Sequence, residues 1–112
     1  MTDRELARDA FTLDLAETIP PGTEVLAGDP AARVRTLGAV GELEVGLWSL
    51  TPGTVRDVEA DEIFIVLEGS GRVTFEDGAS IDLAPGVVVR LAAGEVTEWT
   101  VTETIRKIYV SG

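Results

Sequence analysis

The chain has 112 residues, 45% of them hydrophobic, and nine basic against twenty acidic residues give it a net charge of −11. This length and composition predict one packed globular domain, and the negative charge makes nucleic acid and anionic membrane surfaces poor partners. The chain has no histidine and no cysteine, which excludes disulfides, thiolate nucleophiles, Ser-His-Asp chemistry and imidazole metal sites.

The N-terminal region carries no apolar signal segment, and no apolar run in the chain reaches transmembrane length. We therefore expect a cytoplasmic protein. Residues 1–22 are predicted to be an N-terminal extension with a short helix, because Thr2 and Glu5 have the spacing of a capping box. The helix would end before Pro20, Pro21 and Gly22.

Residues 23–112 are predicted to form one all-β domain, because short runs with β-type alternation recur there between glycines and prolines. The predicted strands cover residues 23–27, 33–37, 43–50, 62–67, 72–75, 80–83, 87–91, 97–101 and 105–110. Residues 56–60 are predicted to be a polar loop and Asp77-Gly78 a hairpin turn. Such spacing is typical of a β-sandwich or barrel, and a small barrel can hold one small ligand.

One acidic residue leads into the most apolar predicted strand. An uninterrupted, β-branched run over residues 63–67 predicts a strand that is buried on both faces. By strand alternation, Glu62 points to the same face as Phe64 and Val66. A carboxylate therefore shares a face with core residues, which makes Glu62 the first candidate for a functional side chain.

Four regions of the chain together match one family pattern. They contain GLW and TPG (residues 46–48 and 51–53), DEIFIVLEG (61–69), LAPG (83–86) and WTVTETIRKIYV (99–110). On these segments the chain resembles a cupin, and among cupins the small domains of the EutQ and ureidoglycine-aminohydrolase kind. The resemblance covers residues 25–110 and implies a jelly-roll antiparallel β-barrel.

The cupin motifs are only partly kept. Glu62 and Gly69 keep the spacing of the first motif, and Thr97 stands at the third histidine position, in the second motif. The first two histidine positions fall on Arg56 and Val58, or on Val55 and Asp57. Cupins that activate oxygen or hydrolyse substrates generally hold a divalent metal on three imidazoles and the glutamate, and a lone carboxylate replaces that set poorly. All three histidines are absent, and this departure from the cupin pattern predicts a metal-independent cupin without a cofactor.

Alternation and the resemblance together predict the pocket lining. Glu62 is expected on one wall and Trp99 on the opposite wall, while Lys107 and Tyr109 share a face of the last predicted strand. A carboxylate, an ammonium and a phenol beside an indole can bind a small polar metabolite and can move a proton without a metal. The candidate catalytic residues are Glu62, Lys107 and Tyr109. The candidate ligand-binding residues are Trp48, Arg56, Phe64, Thr97 and Trp99.

Each candidate also has a structural interpretation. Glu62 could pair with Lys107 or Arg56 only to neutralise a buried charge. The two tryptophans could be core or pocket wall, and Tyr109 could anchor a subunit contact. Asp57, Glu59 and Asp61 form an acidic loop that could hold Ca²⁺ or Mg²⁺, or could simply be solvated.

Two functions of different classes fit the sequence. The first is a metal-independent cupin domain that binds a small polar metabolite and, if it is an enzyme, transfers protons as an isomerase, lyase or hydrolase does. The second is a non-catalytic homodimeric scaffold or ligand sensor beside a pathway enzyme. A homodimer is expected because cupins commonly pair through edge strands. A third idea, a carboxylate-only metal site, predicts tightly bound metal after purification.

Overall fold

A computed structural model describes residues 4–112, which form nine β-strands and no helix. The strands are β1 (Glu17–Ile19), β2 (Glu24–Gly28), β3 (Ala32–Val40), β4 (Leu43–Leu50), β5 (Gly53–Val58), β6 (Glu62–Phe75), β7 (Ser80–Leu83), β8 (Val88–Leu91) and β9 (Val96–Ser111). The predicted all-β fold is confirmed. None of the elements in the described residues is a helix that could cross a membrane.

All the strands belong to one curled antiparallel sheet. Its main path runs β1-β3-β4-β9-β5-β2, and β6 pairs with β9, β7 and β8. The two longest strands, β6 with 14 residues and β9 with 16, pair along nearly their whole length. The first half of β9 also pairs with β5 and its second half with β4. β9 therefore lies at the centre of the sheet, with β6 on one side and β5 and β4 on the other.

The paired strands β6 and β9 bend where their register shifts, between residues 66 and 71 of β6. Gly69 lies at this bend with a φ of +95°, a left-handed conformation that side-chain-bearing residues rarely adopt. A Cβ atom there would overlap the carbonyl oxygen of Thr104 on β9. The glycine of the first sequence motif therefore serves the close approach of two strands, while the glutamate of the motif faces inward.

The inner face of the sheet forms the hydrophobic core. Its buried residues are Ala32, Leu50, Val55, Phe64, Val66, Val73, Leu83, Val89, Leu91, Trp99, Val101, Ile105 and Tyr109. Alternate residues of the long strands supply this set, as the period of a strand requires.

The prediction that residues 63–67 are buried on both faces is wrong. Ile63 and Ile65 lie on the outer face and are 50% and 41% exposed, whereas Phe64 and Val66 between them are buried. A β-branched run predicts a strand, but the burial of its second face depends on what the fold lays over it. No part of residues 4–112 buries these two side chains fully.

The predicted N-terminal helix does not form within the described residues, and Thr2 lies outside them. A single turn occurs at Asp9, whose carboxylate accepts a hydrogen bond from the backbone N–H of Phe11. The guanidinium of Arg106 on β9 donates to the carbonyl oxygens of Ala10 and Leu13, at 2.9 Å each. These carbonyls bind β9 instead of continuing a helix, so the segment lies against the sheet.

Four features of the strands differ from the sequence prediction. Residues 53–58 form β5, paired with β2 and β9, although residues 56–60 were expected in a loop. The two final predicted strands are one strand, β9, and the predicted strands 62–67 and 72–75 are joined in β6. The short strand β1 pairs with β3, so the sheet begins before residue 23. Pairing with neighbours makes strands of segments whose own pattern is weak.

Candidate functional site

A cavity of about 310 Å³ is lined by residues of β1, β3, β4, β5, β6 and β9 and of the segments that follow β1 and β5. Its lining residues are Ile19, Pro21, Val34, Glu44, Trp48, Val55, Asp57, Glu59, Glu62, Trp99, Lys107 and Tyr109. This volume is near the lower end of the range for pockets that hold small molecules, about 300–1,000 Å³. The cavity therefore suits a small metabolite.

An ion pair lies in the cavity wall. Lys107 on β9 donates from Nζ to Oε2 of Glu62 on β6, at 2.6 Å. Only 6% of the Lys107 side chain and 15% of the Glu62 side chain are exposed. Removing one member would leave the other as a buried, unpaired charge, so each requires its partner.

Three aromatic rings surround the Lys107 ammonium. Its Nζ lies 4.4 Å from the ring centroids of Trp48 and Phe64 and 5.0 Å from that of Trp99. All three distances are within the range of cation–π attraction. The Trp99 ring also packs against the Trp48 ring, with centroids 5.5 Å apart. The rings therefore stabilise a positive charge at this place and fix where the ammonium lies.

Glu59 is held in the cavity wall by donors from β9. Its Oε2 accepts a hydrogen bond from Oγ1 of Thr97 at 2.6 Å and one from Nε1 of Trp99 at 3.1 Å. Thr97 and Trp99 are both buried. Two fixed donors orient the carboxylate, although Glu59 itself follows the end of β5.

Tyr109 donates its hydroxyl proton to Oε2 of Glu44, at 2.6 Å. Burial first, and then this hydrogen bond, raise the pKa of Tyr109 well above its ordinary value of 10.0. The phenol therefore keeps its proton at neutral pH and acts as a hydrogen-bond donor. The ring lies against β4 at Gly46, where a Cβ atom would come within 2.5 Å of the hydroxyl oxygen.

Asp57 on β5 faces the cavity near two other carboxylates. Burial, and next the negative charge of Glu59, raise the pKa of Asp57 above its ordinary value of 3.8. The backbone N–H of Val58 and the charge of Lys107 offset part of this rise, and Glu62 adds to it. Ionised Asp57 is therefore less favourable in the folded chain than in the unfolded chain.

This difference predicts a pH-dependent effect of Asp57→Asn. An acid with a raised folded pKa favours the fold below its unfolded pKa, and this contribution is lost as pH rises through the folded pKa. The variant should therefore have a higher Tm than the parent near neutral pH, and the gain should vanish below pH 3.8, where Asp57 is protonated in both states. Thermal unfolding across this pH range checks the prediction, with the exposed Glu98→Gln as the control. A gain that persists in acid would contradict it.

Most of the predicted site residues meet at the cavity. Trp48, Glu62, Trp99, Lys107 and Tyr109 line it. Phe64 and Thr97 lie behind these residues, Phe64 under the Lys107 ammonium and Thr97 against Glu59. Their roles in catalysis or binding stay predictions.

Arg56 does not reach the cavity, contrary to the prediction. It lies on the outer face of β5 and pairs with Glu24 at 2.9 Å. The neighbours of Arg56 on β5, Val55 and Asp57, are the ones that point inward. The alternation of side chains along β5 therefore places Arg56 outside the cavity. The sequence could not predict this, because residues 56–60 were not recognised as part of a strand.

Three cavity carboxylates were not among the predicted site residues: Glu44, Asp57 and Glu59. Asp57 and Glu59 were assigned to an acidic loop that either binds a cation or is solvated, yet both face the cavity. Glu44 and Trp48 point to the same face of β4 by strand alternation, so the sequence could have predicted that Glu44 faces the cavity. For Glu59 the sequence carries no such signal, since its partners Thr97 and Trp99 are far away in the chain.

A family model, the EutQ-like cupin domain, matches residues 37–109. The chain belongs to this family. The match covers β4 to β8 and nearly all of β9, and thus most of the cavity lining. A comparison with curated proteins finds no match.

Solved structures share the cupin-type fold of this EutQ-like domain. The EutQ protein of Clostridium difficile is 18% identical with a TM-score of 0.70, covering 89% of this chain and 79% of its own. Ectoine synthase from P. lautus is 18% identical with a TM-score of 0.60, covering 78% of this chain and 66% of its own. A Pseudomonas syringae pv. tomato protein of unknown function is 25% identical with a TM-score of 0.77, covering 93% of this chain but only 46% of its own. This chain thus spans less than half of that protein, and the likenesses show the fold.

The residues of this cupin domain do not fit the imidazole-bound metal of metal-dependent cupins. Glu62, at the acidic ligand position of the general cupin motif, binds the Lys107 ammonium instead. Thr97, at a histidine position, donates its hydroxyl to Glu59, and Val55, at another inward position, offers no ligand atom. Within residues 4–112 no group of three or more acidic side chains is close enough to hold a metal ion. The cation beside Glu62 is thus the Lys107 ammonium of the chain itself and not a metal ion.

Proposed function

We propose that this EutQ-like cupin domain binds a small polar metabolite in its cavity without a transition metal. The Lys107–Glu62 pair supplies the polar contacts, and the indoles of Trp48 and Trp99 supply the walls. One observation carries the proposal: an ion pair that is largely buried borders a cavity of metabolite size. Convergent polar groups in a concave, aromatic-lined pocket are typical of ligand sites.

The ion pair has unused hydrogen-bonding capacity that a ligand can take. An ammonium has three N–H donors, and Lys107 gives one of them to Glu62. Glu62 accepts this bond through Oε2, and within residues 4–112 its Oε1 accepts none. A polar ligand can therefore accept from Lys107 and donate to Glu62 at once, while an indole covers its apolar part.

Proton transfer is the reaction class that these residues could support if the ligand is a substrate. The Glu62 carboxylate would accept a proton from the ligand, and the adjacent Lys107 ammonium would stabilise the negative charge that the ligand gains. The same carboxyl group would return the proton to another atom of the ligand. Tyr109 would orient Glu44 and the ligand rather than exchange its proton, because its pKa is raised.

The test is a metabolite screen by thermal shift and calorimetry, followed by titrations of variants. Lys107→Met and Glu62→Gln should each weaken binding of any hit by about tenfold or more, since each removes a charge-assisted hydrogen bond. The matched control is Arg72→Gln, which breaks the exposed pair of Arg72 with Asp82 on β7. A screen without hits, or hits whose affinity both cavity variants leave unchanged, would overturn the proposal.

A homodimeric scaffold is the second candidate, and one surface favours it. The outer-face patch consists of Leu43, Ile63, Ile65, Val88 and Val110, which are exposed on neighbouring strands β4, β6, β8 and β9. A second copy of the chain would bury this apolar surface. Light scattering at micromolar concentration should give the mass of a dimer for the parent chain and of a monomer for Ile65→Lys. A monomeric parent chain would contradict this proposal.

A further inference from the structure

The cavity has an excess of negative charge. Its lining contains four carboxylates and one ammonium, that of Lys107. The carboxylates belong to Glu44, Asp57, Glu59 and Glu62. Lys107 is committed to Glu62, so three of the four have no cationic partner in the lining. Negative charges that share a cavity repel one another: burial first, and then the charge of Glu59, raise the pKa of Asp57.

The free hydrogen-bonding capacity of the lining consists mainly of acceptors. Each carboxylate uses one oxygen within the protein: Oε2 of Glu44, Oδ1 of Asp57, Oε2 of Glu59 and Oε2 of Glu62. Within residues 4–112 the other oxygen of each accepts no hydrogen bond. These oxygens are not buried without a partner, since the described residues contain no buried, unsatisfied side-chain atom. They are therefore accessible acceptors.

The lining has fewer free donors than free acceptors. The Tyr109 hydroxyl donates to Glu44, and the Trp99 indole N–H donates to Glu59. The free donors of the wall are the N–H groups that Lys107 keeps beyond the one that it gives to Glu62, and the indole N–H of Trp48, which donates to no group within residues 4–112. A ligand that satisfies the cavity must therefore donate several hydrogen bonds and accept few. Amines and guanidinium groups have this pattern, whereas carboxylates have the opposite one.

The chain already stabilises an ammonium beside this position. The Lys107 charge rests on aromatic rings and one carboxylate, which is the environment that proteins use to bind ammonium ligands. The remaining carboxylates, those of Asp57, Glu59 and Glu44, extend from it into the cavity without such a cation. They are too far apart to form a cluster that could hold a metal ion, within the part of the chain described. A larger, organic cation can contact them singly.

We propose that the ligand of this cavity is a small organic cation that carries an amine or guanidinium group. This inference rests on the proposed function and adds the charge of the ligand to it. The charged group donates to the free oxygens of Glu59 and Asp57, and a hydroxyl or carbonyl group of the same ligand accepts from Lys107. The cavity volume of about 310 Å³ limits the ligand to metabolite size.

Three probes with one carbon skeleton test the charge: 4-aminobutan-1-ol, butane-1,4-diol and 4-hydroxybutanoate. They differ in a terminal ammonium, hydroxyl or carboxylate, and each is titrated at constant ionic strength while the fluorescence of the two tryptophans is followed. Trp48 and Trp99 are the only tryptophans of the chain and both line the cavity. The amino alcohol should bind about tenfold more tightly than the diol, and the hydroxy acid should bind least.

Glu59→Gln supplies the second arm, because glutamine keeps an oxygen for Thr97 and Trp99 but lacks the charge. It should weaken binding of the amino alcohol by about tenfold and change the affinity for the diol by no more than about twofold. The exposed Glu98→Gln should change neither affinity. Equal or tighter binding of the diol or the hydroxy acid would overturn the charge inference and leave the proposed function intact. Silence of all three probes would also overturn it, and the proposed function fails only if the wider screen is silent too. Displacement of the amino alcohol by Ca²⁺ at constant ionic strength would point to an inorganic cation and contradict the inference.

Discussion

Glu62→Leu is expected to lower the free energy of unfolding by about 3 kcal/mol, because it leaves the Lys107 ammonium buried without its partner. Breaking a buried ion pair by removing one member costs about 3–5 kcal/mol. We expect the low end of this range, since three aromatic rings still contact the ammonium and Asp57 and Glu59 line the same cavity. Denaturant unfolding of the variant and of the parent chain measures the loss of free energy of unfolding.

The double variant Glu62→Leu/Lys107→Met separates the cost of an orphaned charge from the worth of the pair. Replacing both charged groups by apolar ones of similar volume should return stability to within about 1 kcal/mol of the parent, or above it. The control is the exposed pair of Arg72 and Asp82, whose loss should leave the free energy of unfolding nearly unchanged because solvent screens both charges. A double variant as unstable as Glu62→Leu would contradict the account of the pair.

Gly69→Ala is expected to cost about 3 kcal/mol, which is large for the addition of one methyl group. The φ of Gly69 is +95°, and an added Cβ would overlap the carbonyl oxygen of Thr104 and lie 2.8 Å from that of Glu103. The neighbours are backbone atoms of β9 and not the ends of flexible side chains, so the strands themselves must move apart.

A matched glycine isolates the effect of the clash. Gly78, at the turn between β6 and β7, has a φ of +88° and nothing within 4 Å of an added Cβ. Gly78→Ala carries the conformational cost alone, about 1–2 kcal/mol. Chemical unfolding of both variants compares them. Equal losses would show that the approach of β6 and β9 at the bend is not tight.

Strand alternation accounts for what the sequence could predict of the site. Glu62, Lys107, Tyr109 and Trp99 were assigned to one interior from strand parity together with the resemblance to cupins, and they do line one cavity. The pairing of Glu62 with Lys107 was one of two partners considered, and the structure contains it at 2.6 Å. Parity holds wherever a strand is recognised, because successive side chains alternate regardless of the neighbouring strands.

The remaining features depend on the fold as a whole. Arg56 was a candidate because one alignment of the cupin motif puts a histidine position on it. Only the pairing of β5 with β9 reveals that its side chain points outward. Glu59 lies beyond the end of β5, and its place in the wall is fixed by Thr97 and Trp99 from β9. The exposure of Ile63 depends on which segments cover the outer face. Contacts between residues distant in the chain decide these features, and local pattern does not encode them.

The central claim is that the cavity beside the Lys107–Glu62 pair is where a small molecule binds. The indole N–H signals of Trp48 and Trp99 in a ¹⁵N NMR spectrum test it most directly, since both rings contact the Lys107 ammonium and line the cavity. For a compound whose binding calorimetry detects, we expect at least one indole signal to shift and to saturate with the calorimetric Kd. Lys107→Met should weaken both the calorimetric binding and the indole shift. Calorimetric binding that leaves both indole signals unmoved would contradict the claim.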